Sequence, residues 1–475
     1  MIDTGAFKTA IVDLAVTGQL SAQFRADDSV EEIIAALPPL SNKRKKLLGQ
    51  SFEYGKQASL PDHWRWICLG EISSYGDTPT KAYFDDVSGD TWLLDLEDIR
   101  SGGQIIKKTR VHGKKFIGDK TVFSEGQVLY SKLRPYLKKV LVADEGGIST
   151  PELISFDTYG GVIPQYVVYC LLSSFTDRAI EKRSYGIKMP RIDAAFMVNL
   201  PIPVPPVSEQ HFIVDRVQEA FSQIDTIDGL QAQYADNLAV LKGKLIDAAI
   251  QGKLTEQLPE DGTAEELYHR VQAKKQALIE SGRIKREKPL PTILDDDVPY
   301  DIPKTWKWIH WGDVVNIVSA RRVHQADWRE SGVPFYRARE IAKLAEDGFV
   351  NNELFISEEL YSEFSKSGVP QENDLMVSAV GTLGRTYVVK ATDRFYYKDA
   401  SVLCFENFGS INPHFLAYVM KSDLMRQQIE NNSGGTTVDT LTMVRMVKYL
   451  LPLPPRAEQD RIVNALNEAL VVINA

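Results

Sequence analysis

Apolar residues recur at steps of three and four positions through the middle of the chain. They are Val217, Phe221, Ile224, Ile227, Leu230, Tyr234, Leu238, Leu241 and Leu245. This spacing is typical of the seam of a coiled coil. It predicts a helix over Ser208–Gln251, about 65 Å long, which Gly252 ends and which packs along its length against a partner helix. Gly229 and Gly243 lie inside it as candidate kinks.

The segments that flank this helix have a different pattern. Residues 53–205 and 299–454 are rich in β-branched and aromatic residues, with Gly, Asp and Pro at intervals. Short apolar runs separated by turn residues predict β-rich domains that contain some helix. Phe415–Met420 follows Pro413, and a proline in the first turn is a common start of a helix. The fold class predicted is therefore α+β.

The chain repeats itself, and the repeat organises everything else. Leu60–Trp66, with the sequence LPDHWRW, returns 242 residues later as Ile302–Trp308, with the sequence IPKTWKW. Pro205–Gln210 returns 249 residues later as Pro454–Gln459, and both copies read PPxxEQ. The order of the motifs is kept, which chance explains poorly. The tryptophan pairs stand at the start of a strand and are expected to be structural.

A third match lies out of order. Residues 11–23 resemble residues 245–257, at an offset of 234. The C-terminal copy stops at Ala475, soon after its PPxxEQ motif, so the N-terminal helix is expected to complete it. The partner of the long helix is then composite and antiparallel, made of Glu458–Asn474 and Thr4–Thr17. The two copies would be related by a pseudo-two-fold axis.

These patterns predict six segments. They are an N-terminal helical segment (1–52), a first β-rich domain (53–205), the long central helix (206–258), a short helix with a linker (259–298, with the helix over Ala264–Glu280), a second β-rich domain (299–454) and a C-terminal helix (455–475). Between positions 75 and 160 we find little similarity to 317–408. Divergence within preserved flanks predicts two domains with a common framework and different binding specificities.

Composition excludes several classes of protein. The 475 residues are 44% hydrophobic and 25% charged, which is ordinary for a globular protein. Cys68, Cys170 and Cys404 form no CxxC motif, so neither a disulfide framework nor a thiolate zinc site is expected. No signal peptide and no apolar run long enough to cross a membrane are found. We expect a cytoplasmic protein without a membrane partner.

Charge is distributed unevenly. The net charge is −9, yet residues 104–139 hold ten basic residues against Asp119 and Glu125. This window is +8 and the remainder of the chain is −17. A basic patch on an acidic protein is compatible with DNA binding. A solvated strand surface is the alternative.

Catalytic motifs were sought without success. There is no P-loop, no Rossmann glycine set and no HExxH motif, and the seven histidines are scattered. Asn412–Phe415 superficially resembles the Asn-Pro-Pro-aromatic motif of adenine methyltransferases, but its counterpart Ile163–Tyr166 lacks the asparagine. A helix start explains both copies. We therefore predict neither catalytic residues nor a metal or cofactor site in this chain.

The repeated motifs carry a family resemblance. The opening [LI]PxxWxWxxxG of each copy, the PPxxEQ helix start, Val128–Tyr136 (VLYSKLRPY) and the two stretches Asp374–Ser378 and Val380–Arg385 are similar to the specificity subunits of type I restriction-modification systems. One departure is that about fifty residues precede the first β-rich domain, where family members often begin directly.

The resemblance implies a function. Two target-recognition domains would each read one half of a bipartite, asymmetric DNA site. The helices would hold them apart and dock two methylation subunits, and two restriction subunits can join such a complex. S-adenosylmethionine and ATP would be bound by those partners, and this chain would not be an enzyme. The alternatives are a specificity module of a type IIB or other DNA-defence system, and a fused nuclease-methyltransferase.

The residues predicted to contact DNA are basic or can donate to base edges. In the first domain they are Lys107, Lys108, Arg110, Lys132, Arg134, Tyr136 and Lys138; in the second they are Arg321, Arg322, Arg337, Arg339, Thr382 and Arg385. Lys107 and Lys108 are assigned to phosphates. For every other position a phosphate contact or a solvated side chain remains the alternative.

Overall fold

A computed structural model describes residues 1–50, 54, 59–83, 87–112, 119–181, 183, 190–431 and 440–474. The chain divides into two compact units, Met1–Gln233 and Tyr234–Ala475. The finer division into six segments stays a prediction.

The described residues of the first unit form helices and three sheets. Its helices are α1 (Thr4–Val16), α2 (Val30–Ala35), α3 (Asn42–Leu47), α4 (Leu69–Ile72), α5 (Pro164–Leu172), α6 (Ser174–Glu181), α7 (Ala194–Val198) and the first part of α8 (Val207–Ile250). Its strands are β1 (Arg65–Cys68), β2 (Lys81–Ala82), β3 (Trp92–Leu94), β4 (Thr109–Arg110), β5 (Lys120–Phe123), β6 (Val128–Ser131), β7 (Val140–Val142), β8 (Gly147–Ser149), β9 (Leu153–Phe156) and β10 (Pro201–Val204). The sheets have the orders β1-β10, β2-β5-β8-β3-β4 and β7-β6-β9.

The second unit is built in the same way. Its helices are the rest of α8, then α9 (Ala264–Glu280), α10 (Trp311–Val314), α11 (Ala338–Asp347), α12 (Glu358–Ser365), α13 (Pro413–Met420), α14 (Asp423–Asn431), α15 (Met443–Met446) and α16 (Arg456–Asn474). Its strands are β11 (Lys307–His310), β12 (Val315–Ser319), β13 (Val333–Tyr336), β14 (Phe355–Ile356), β15 (Leu375–Ser378), β16 (Thr386–Val388), β17 (Tyr396–Tyr397), β18 (Val402–Asn407) and β19 (Leu450–Leu453). The sheets have the orders β11-β19, β12-β18-β15-β16 and β14-β13-β17.

The long helix is confirmed, since α8 runs without interruption through Gly229 and Gly243. Its predicted continuous packing is wrong. Leu230 and Tyr234 are about 60% exposed, at 59% and 63%, and Leu241 is 49% exposed. The contacts of α1 and α16 with α8 lie on either side of these residues, at Asp228 and Lys242. The hydrogen bonds of the N-terminal segment to α8 end with Ile2, at Gln231.

Both partner helices run antiparallel to α8, as predicted. In the first unit, Thr4 donates to Asp228 at 2.6 Å and Lys8 pairs with Asp225 at 2.5 Å, so rising numbers in α1 meet falling numbers in α8. In the second unit, Asn474 at the end of α16 accepts from Lys242. The composite partner therefore has its N-terminal part in one unit and its C-terminal part in the other.

Buried polar residues explain the PPxxEQ motif. Glu209 accepts a hydrogen bond from the indole Nε1 of Trp64 at 3.1 Å, and Glu458 accepts one from Trp306 at 2.8 Å. Both carboxylates are about 1% exposed. An ionised group is buried only where hydrogen bonds replace its water. The tryptophan motif and the helix start thus recur together because each supplies the partner of the other.

The adjacent glutamines connect the helix start to the body of each unit. The side chain of Gln210 accepts from the Ile163 amide at 2.9 Å and donates to the Pro205 carbonyl at 2.9 Å. Gln459 repeats both bonds, with the Asn412 amide at 2.8 Å and the Pro454 carbonyl at 2.9 Å. Asn412 thus sits at a helix start, where its side chain also accepts from the His414 amide. This agrees with the interpretation of Asn412–Phe415 made from the sequence.

Two glycines end the equivalent helices. Gly18 follows α1 and Gly252 follows α8, with φ of +75° and +71°. A Cβ atom at Gly18 would lie 2.5 Å from Cγ of Pro61, and one at Gly252 would lie 2.4 Å from Cγ of Pro303. Only glycine fits both the backbone angle and the space. The out-of-order match in the sequence therefore reflects equivalent packing.

The diverged regions of the two units nevertheless contain the same arrangement of three strands, which could not be seen by comparing their sequences. Strands β7-β6-β9 of the first unit correspond to β16-β15-β18 of the second, and all neighbours are antiparallel. A left-handed residue opens each hairpin, Gly126 at φ +82° and Asn373 at φ +70°. Strands need only alternation and turn geometry, so the backbone can be kept while the side chains change.

Candidate DNA interface

Each unit carries a loop directly after the central strand of the shared sheet. We name them the 132–138 loop and the 379–385 loop. The Ser131 hydroxyl donates to the Leu133 carbonyl at 2.8 Å, and the Ser378 hydroxyl donates to the Thr382 carbonyl. The Lys132 carbonyl accepts from the Ile192 amide at 3.1 Å, and Ala379 accepts from Leu441 at 3.0 Å. The two loops are therefore anchored alike but differ in sequence.

The 132–138 loop brings together four predicted residues, Lys132, Arg134, Tyr136 and Lys138. Arg134 and Lys138 both have φ of +49°, which is costly for residues with a side chain. A 3₁₀ turn over Pro135–Leu137 lies between them, and the Arg134 amide donates to the Pro190 carbonyl at 2.7 Å. Left-handed residues outside glycine are concentrated at functional sites.

Arg134 and Tyr136 point into solvent. Tyr136 is 58% exposed, and Arg134 is exposed with no carboxylate partner among the described residues. Lys132 approaches Glu152 at 4.0 Å, and Lys138 pairs with Asp177. Burial raises the pKa of Asp177, against the opposing effect of the Lys138 ammonium. Within this loop, Arg134 is the cation most available to a ligand.

Lys107, Lys108 and Arg110 lie elsewhere in the first unit. The Lys108 ammonium meets Asp144 at 2.7 Å and lies 4.6 Å from the centre of the Trp92 ring. Its hydrogen bond to Asp144 raises the pKa of Lys108. Arg110 pairs with Glu145 at 3.0 Å. Asp144 and Glu145 follow β7, whereas Lys138 precedes it. Lys108 and Arg110 therefore lie at the opposite end of this strand from the 132–138 loop.

The predicted basic window is therefore less positive in the fold than in the sequence. Lys120 pairs with Asp95 at 2.7 Å, outside the window, just as Lys108 and Arg110 pair with residues outside it. Lys107 is exposed with no ion pair among the described residues. Lys114 and Lys115 lie outside the described residues.

The predicted arginines of the second unit are all ion-paired. Arg321 meets Glu363 at 3.1 Å and lies 4.3 Å from the centre of the Phe364 ring. Arg322 meets Asp399 at 2.8 Å but remains 68% exposed. A carboxylate partner offsets the charge of each guanidinium and occupies one of its donors, so these arginines attract DNA less strongly than unpaired ones.

Arg337 and Arg339 both pair with the buried carboxylate of Glu340. Arg337 binds both oxygens of Glu340, at 2.9 and 3.0 Å, and Glu340 is 1% exposed at the start of α11. Burial alone would raise the pKa of Glu340, but the hydrogen bonds from Arg337 and Arg339 hold it at about 2. Arg339 also pairs with Glu353 at 2.9 Å. Loss of the pairs with Glu340 would leave its buried carboxylate without compensating charge, whereas the pair with Glu353 is exposed.

Thr382 and Arg385 occupy the 379–385 loop. Both are exposed, and Arg385 meets Glu346 at 3.5 Å. Gly381 and Gly384 have φ of +76° and +74°. Glycine adopts this conformation without strain, so the second loop achieves its shape by a different route from the first.

The second unit also contains a cleft that was not predicted from the sequence. It has a volume of about 450 Å³ and lies beside Arg322, where it also includes His324, Gln325, Trp328 and Lys398. Arginine, glutamine and aromatic groups are the ones that bind base edges and faces. No spacing signal links these residues, because positions 322–328 and 398 meet only in the folded chain.

Among the described residues we find neither a cluster of metal-ligating side chains nor a membrane-spanning helix. Within them, no group of three or more His, Cys, Asp or Glu side chains is placed to hold a metal ion. No helix among them is long and apolar enough to cross a membrane.

The architecture is that of a duplicated α+β protein with a long helix between its two domains. Residues 303–470 match the family described as the type I restriction modification DNA specificity domain. A solved structure described as the structural basis of complex assembly and conformational transition of the type I R-M system aligns with a TM-score of 0.60. It covers 88% of this chain and 93% of that one, at 19% identity, and shows a shared fold.

Curated relatives extend the similarity to the whole chain. The chain is 25% identical to the type I restriction enzyme EcoAI specificity subunit of Escherichia coli, over 98% of this chain and 88% of that protein. It is 26% identical to the EcoEI specificity subunit of the same organism, over 64% of this chain and 61% of that protein. The chain is thus similar to type I restriction-modification specificity subunits, and the resemblance seen in the sequence is confirmed.

Proposed function

We propose that this chain reads a bipartite, asymmetric DNA sequence for a type I restriction-modification complex. The observation that carries the proposal is the repeated frame. The buried contact of Trp64 with Glu209 in the first unit is repeated by that of Trp306 with Glu458 in the second. The 132–138 loop and the 379–385 loop, by contrast, differ in sequence. Two equivalent frames with different loops suit two half-sites of different sequence.

In the first unit, Arg134 is proposed to contact a base. A strained backbone fixes it, it is exposed, and no carboxylate among the described residues competes for it. Arginine pairs with the O6 and N7 atoms of guanine in the major groove. Tyr136 lies two residues away for a further contact. Lys107, Lys108 and Arg110 are proposed to bind phosphates, which position the protein without specifying sequence.

In the second unit, the cleft beside Arg322 and the 379–385 loop are proposed as the reading surfaces. Asp399, the partner of Arg322, is only 15% exposed, whereas Arg321 and Arg385 pair with the surface carboxylates of Glu363 and Glu346. Such pairs contribute little stability, so DNA can replace the carboxylate at low cost. Arg337 and Arg339 are proposed to support α11, because their partner Glu340 is buried.

The exposed middle of α8 is proposed to dock the partner subunits. Leu230, Tyr234 and Leu241 are each about half exposed or more. A row of exposed apolar residues on a helix is suited to receive another helix. Two methylation subunits would bind there and supply S-adenosylmethionine, and restriction subunits would supply ATP hydrolysis. The chain itself performs no catalysis in this proposal.

Purification of the chain with and without its methylation subunit tests the proposal. The isolated chain should transfer no methyl group to DNA, and the complex should methylate one bipartite site. Genes adjacent to that for this chain are the source of the candidate partners. Robust methylation by the isolated chain, or unspecific methylation by the complex, would contradict it.

A further inference from the structure

Two basic runs lie outside the surfaces considered so far. Residues 41–50 contain four basic and no acidic residues, and residues 281–290 contain four basic residues and Glu287. On a chain with a net charge of −9, such runs are conspicuous. Neither run belongs to the 132–138 loop, the 379–385 loop or the cleft beside Arg322.

The runs occupy the same place in the repeat. Lys43 and Lys46 precede Lys285 and Lys288 by 242 residues, which is also the distance from Trp64 to Trp306. Each run therefore lies at a fixed distance before the tryptophan motif of its own unit. Charge at equivalent positions of two otherwise diverged copies indicates a role that both copies share.

In each unit a residue after the basic side chains of the run is linked to an equivalent turn, directly before β10 in the first unit and through His310 before β19 in the second. After the first run, the Leu47 carbonyl accepts from the Asn199 side chain at 2.7 Å. After the second, the Pro291 carbonyl is 3.0 Å from Nε2 of His310, whose Nδ1 lies 2.7 Å from the carbonyl of Lys448. Asn199 and Lys448 are themselves equivalent, 249 residues apart.

Of the eight basic side chains in the two runs, Arg44 has a structural role. Arg44 is buried and donates to the carbonyls of Gly70 and Ser73 at 3.0 and 2.9 Å, which fixes α3 to the unit. The remaining cations are exposed, and none has a carboxylate partner within the described part of the chain. They are Lys43, Lys45, Lys46, Arg283, Lys285, Arg286 and Lys288. Most arginines of the predicted interface, by contrast, are already paired.

The two runs differ in what lies next to them. Lys43 donates to Thr78 at 3.5 Å, in the segment that leads into β2. In the second unit, Arg283 lines a cleft of about 640 Å³ together with Gly368. Gly368 also lines the next cleft, with Arg321. The second run therefore continues the surface that carries Arg321.

We propose that the two runs are a pair of phosphate clamps, which bind the DNA backbone beside each half-site without reading sequence. This inference rests on the proposed function. Duplex DNA presents a charge about every 1.7 Å, so it can engage unpaired lysines at two equivalent places. An acidic protein surface is the weaker alternative, because lysine is depleted in protein–protein interfaces.

Two variants test the clamps, K43Q/K45Q/K46Q and K285Q/R286Q/K288Q. A matched control, R65Q/K307Q, removes two cations at equivalent positions that are already paired with Glu31 and Glu265. Each variant is prepared as a complex with its methylation subunits. The complex is titrated, at several salt concentrations, with an unmethylated duplex that contains the site it methylates and with a duplex of scrambled sequence.

The clamp variants should lose affinity equally on both duplexes, so that the specificity ratio is unchanged. The slope of log affinity against log salt should become shallower by about one for each lysine that binds a phosphate, and the control should keep the wild-type slope. If the slope is unchanged in both variants, the runs are not phosphate clamps. The proposed function is still upheld in that case if the wild-type complex binds its site specifically. Loss of the methylation subunits with an unchanged slope would assign the runs to a protein contact. A wild-type complex that binds no DNA would contradict both.

Discussion

Two buried carboxylates show how single residues stabilise the repeated frame. Glu209 accepts hydrogen bonds from Ser21, Trp64 and His63, at 2.6, 3.1 and 2.8 Å. Glu458 accepts from Thr255, Gln257 and Trp306, at 3.2, 3.0 and 2.8 Å. Each carboxylate thus joins the start of a helix to two other segments of its unit.

Glu209→Ala should lower the free energy of unfolding by about 1–3 kcal/mol or more, because it leaves the indole of Trp64 buried without an acceptor. Glu458→Ala should have a similar effect in the second unit. Denaturant unfolding measures both. Glu219→Ala, which removes an exposed pair with Arg216, is the control and should cost less than about 1 kcal/mol. If all three variants are equally stable, the buried carboxylates of Glu209 and Glu458 do not stabilise their units.

Arg134 combines backbone strain with an exposed cation, so substitutions separate the two. Arg134→Gly should stabilise the fold by roughly 1 kcal/mol, because glycine adopts φ of +49° without the usual cost. It should nonetheless weaken recognition. A protein that becomes less stable with glycine at this position would show that the side chain holds the loop.

The DNA role of Arg134 is tested by Arg134→Ala. If the guanidinium binds guanine, the loss should be about 1–3 kcal/mol in binding free energy and the preference should relax at one base position. Lys107→Ala should instead weaken binding to all sequences and reduce the salt slope by about one. Competition binding against a set of single-base site variants distinguishes these results. An equal loss on every site for Arg134→Ala would reassign it to a phosphate.

At the scale of elements, α8 was predictable because periodicity is a local property of the sequence. Its apolar steps gave bounds of Ser208–Gln251, against Val207–Ile250 in the structure, and α9 agrees at both ends. The exposure of Leu230 and Tyr234 was not predictable, since it depends on how far α1 and α16 extend along α8.

The elements that carry the candidate site were harder to predict. The shared hairpin is conserved in backbone geometry, whereas its side chains have little in common beyond Ser131 and Ser378. The carboxylates that pair with Arg321 and Arg322 come from positions 363 and 399. Such long-range partners leave no pattern in the sequence, so charge alone overstated the availability of these arginines.

The length of α8 is predicted to affect the DNA site. Inserting four residues after Leu238 adds about 6 Å of helix rise and nearly one full turn. With a rise of about 3.4 Å per base pair, the unspecific gap between the half-sites should lengthen by one or two base pairs. Sequencing of methylated sites measures the gap. A folded, active variant with the original gap would show that this helix does not set the spacing.

In the whole molecule, we expect each of the two copies to recognise its own half of the DNA site independently of the other. The frame of each unit is closed by its own tryptophan, glutamate and glutamine, and none of these contacts involves the other unit. Specificity should therefore be exchangeable one half at a time.

The most direct measurement is methylome sequencing of a chimaera. Residues 53–205 are replaced by the corresponding domain of a relative, with the second domain and helices unchanged, and the chimaera is expressed with its methylation subunits. The account predicts a site in which one half is new and the other half is that of the parent. A site altered in both halves, or unaltered in both, would contradict the claim that each copy reads its own half.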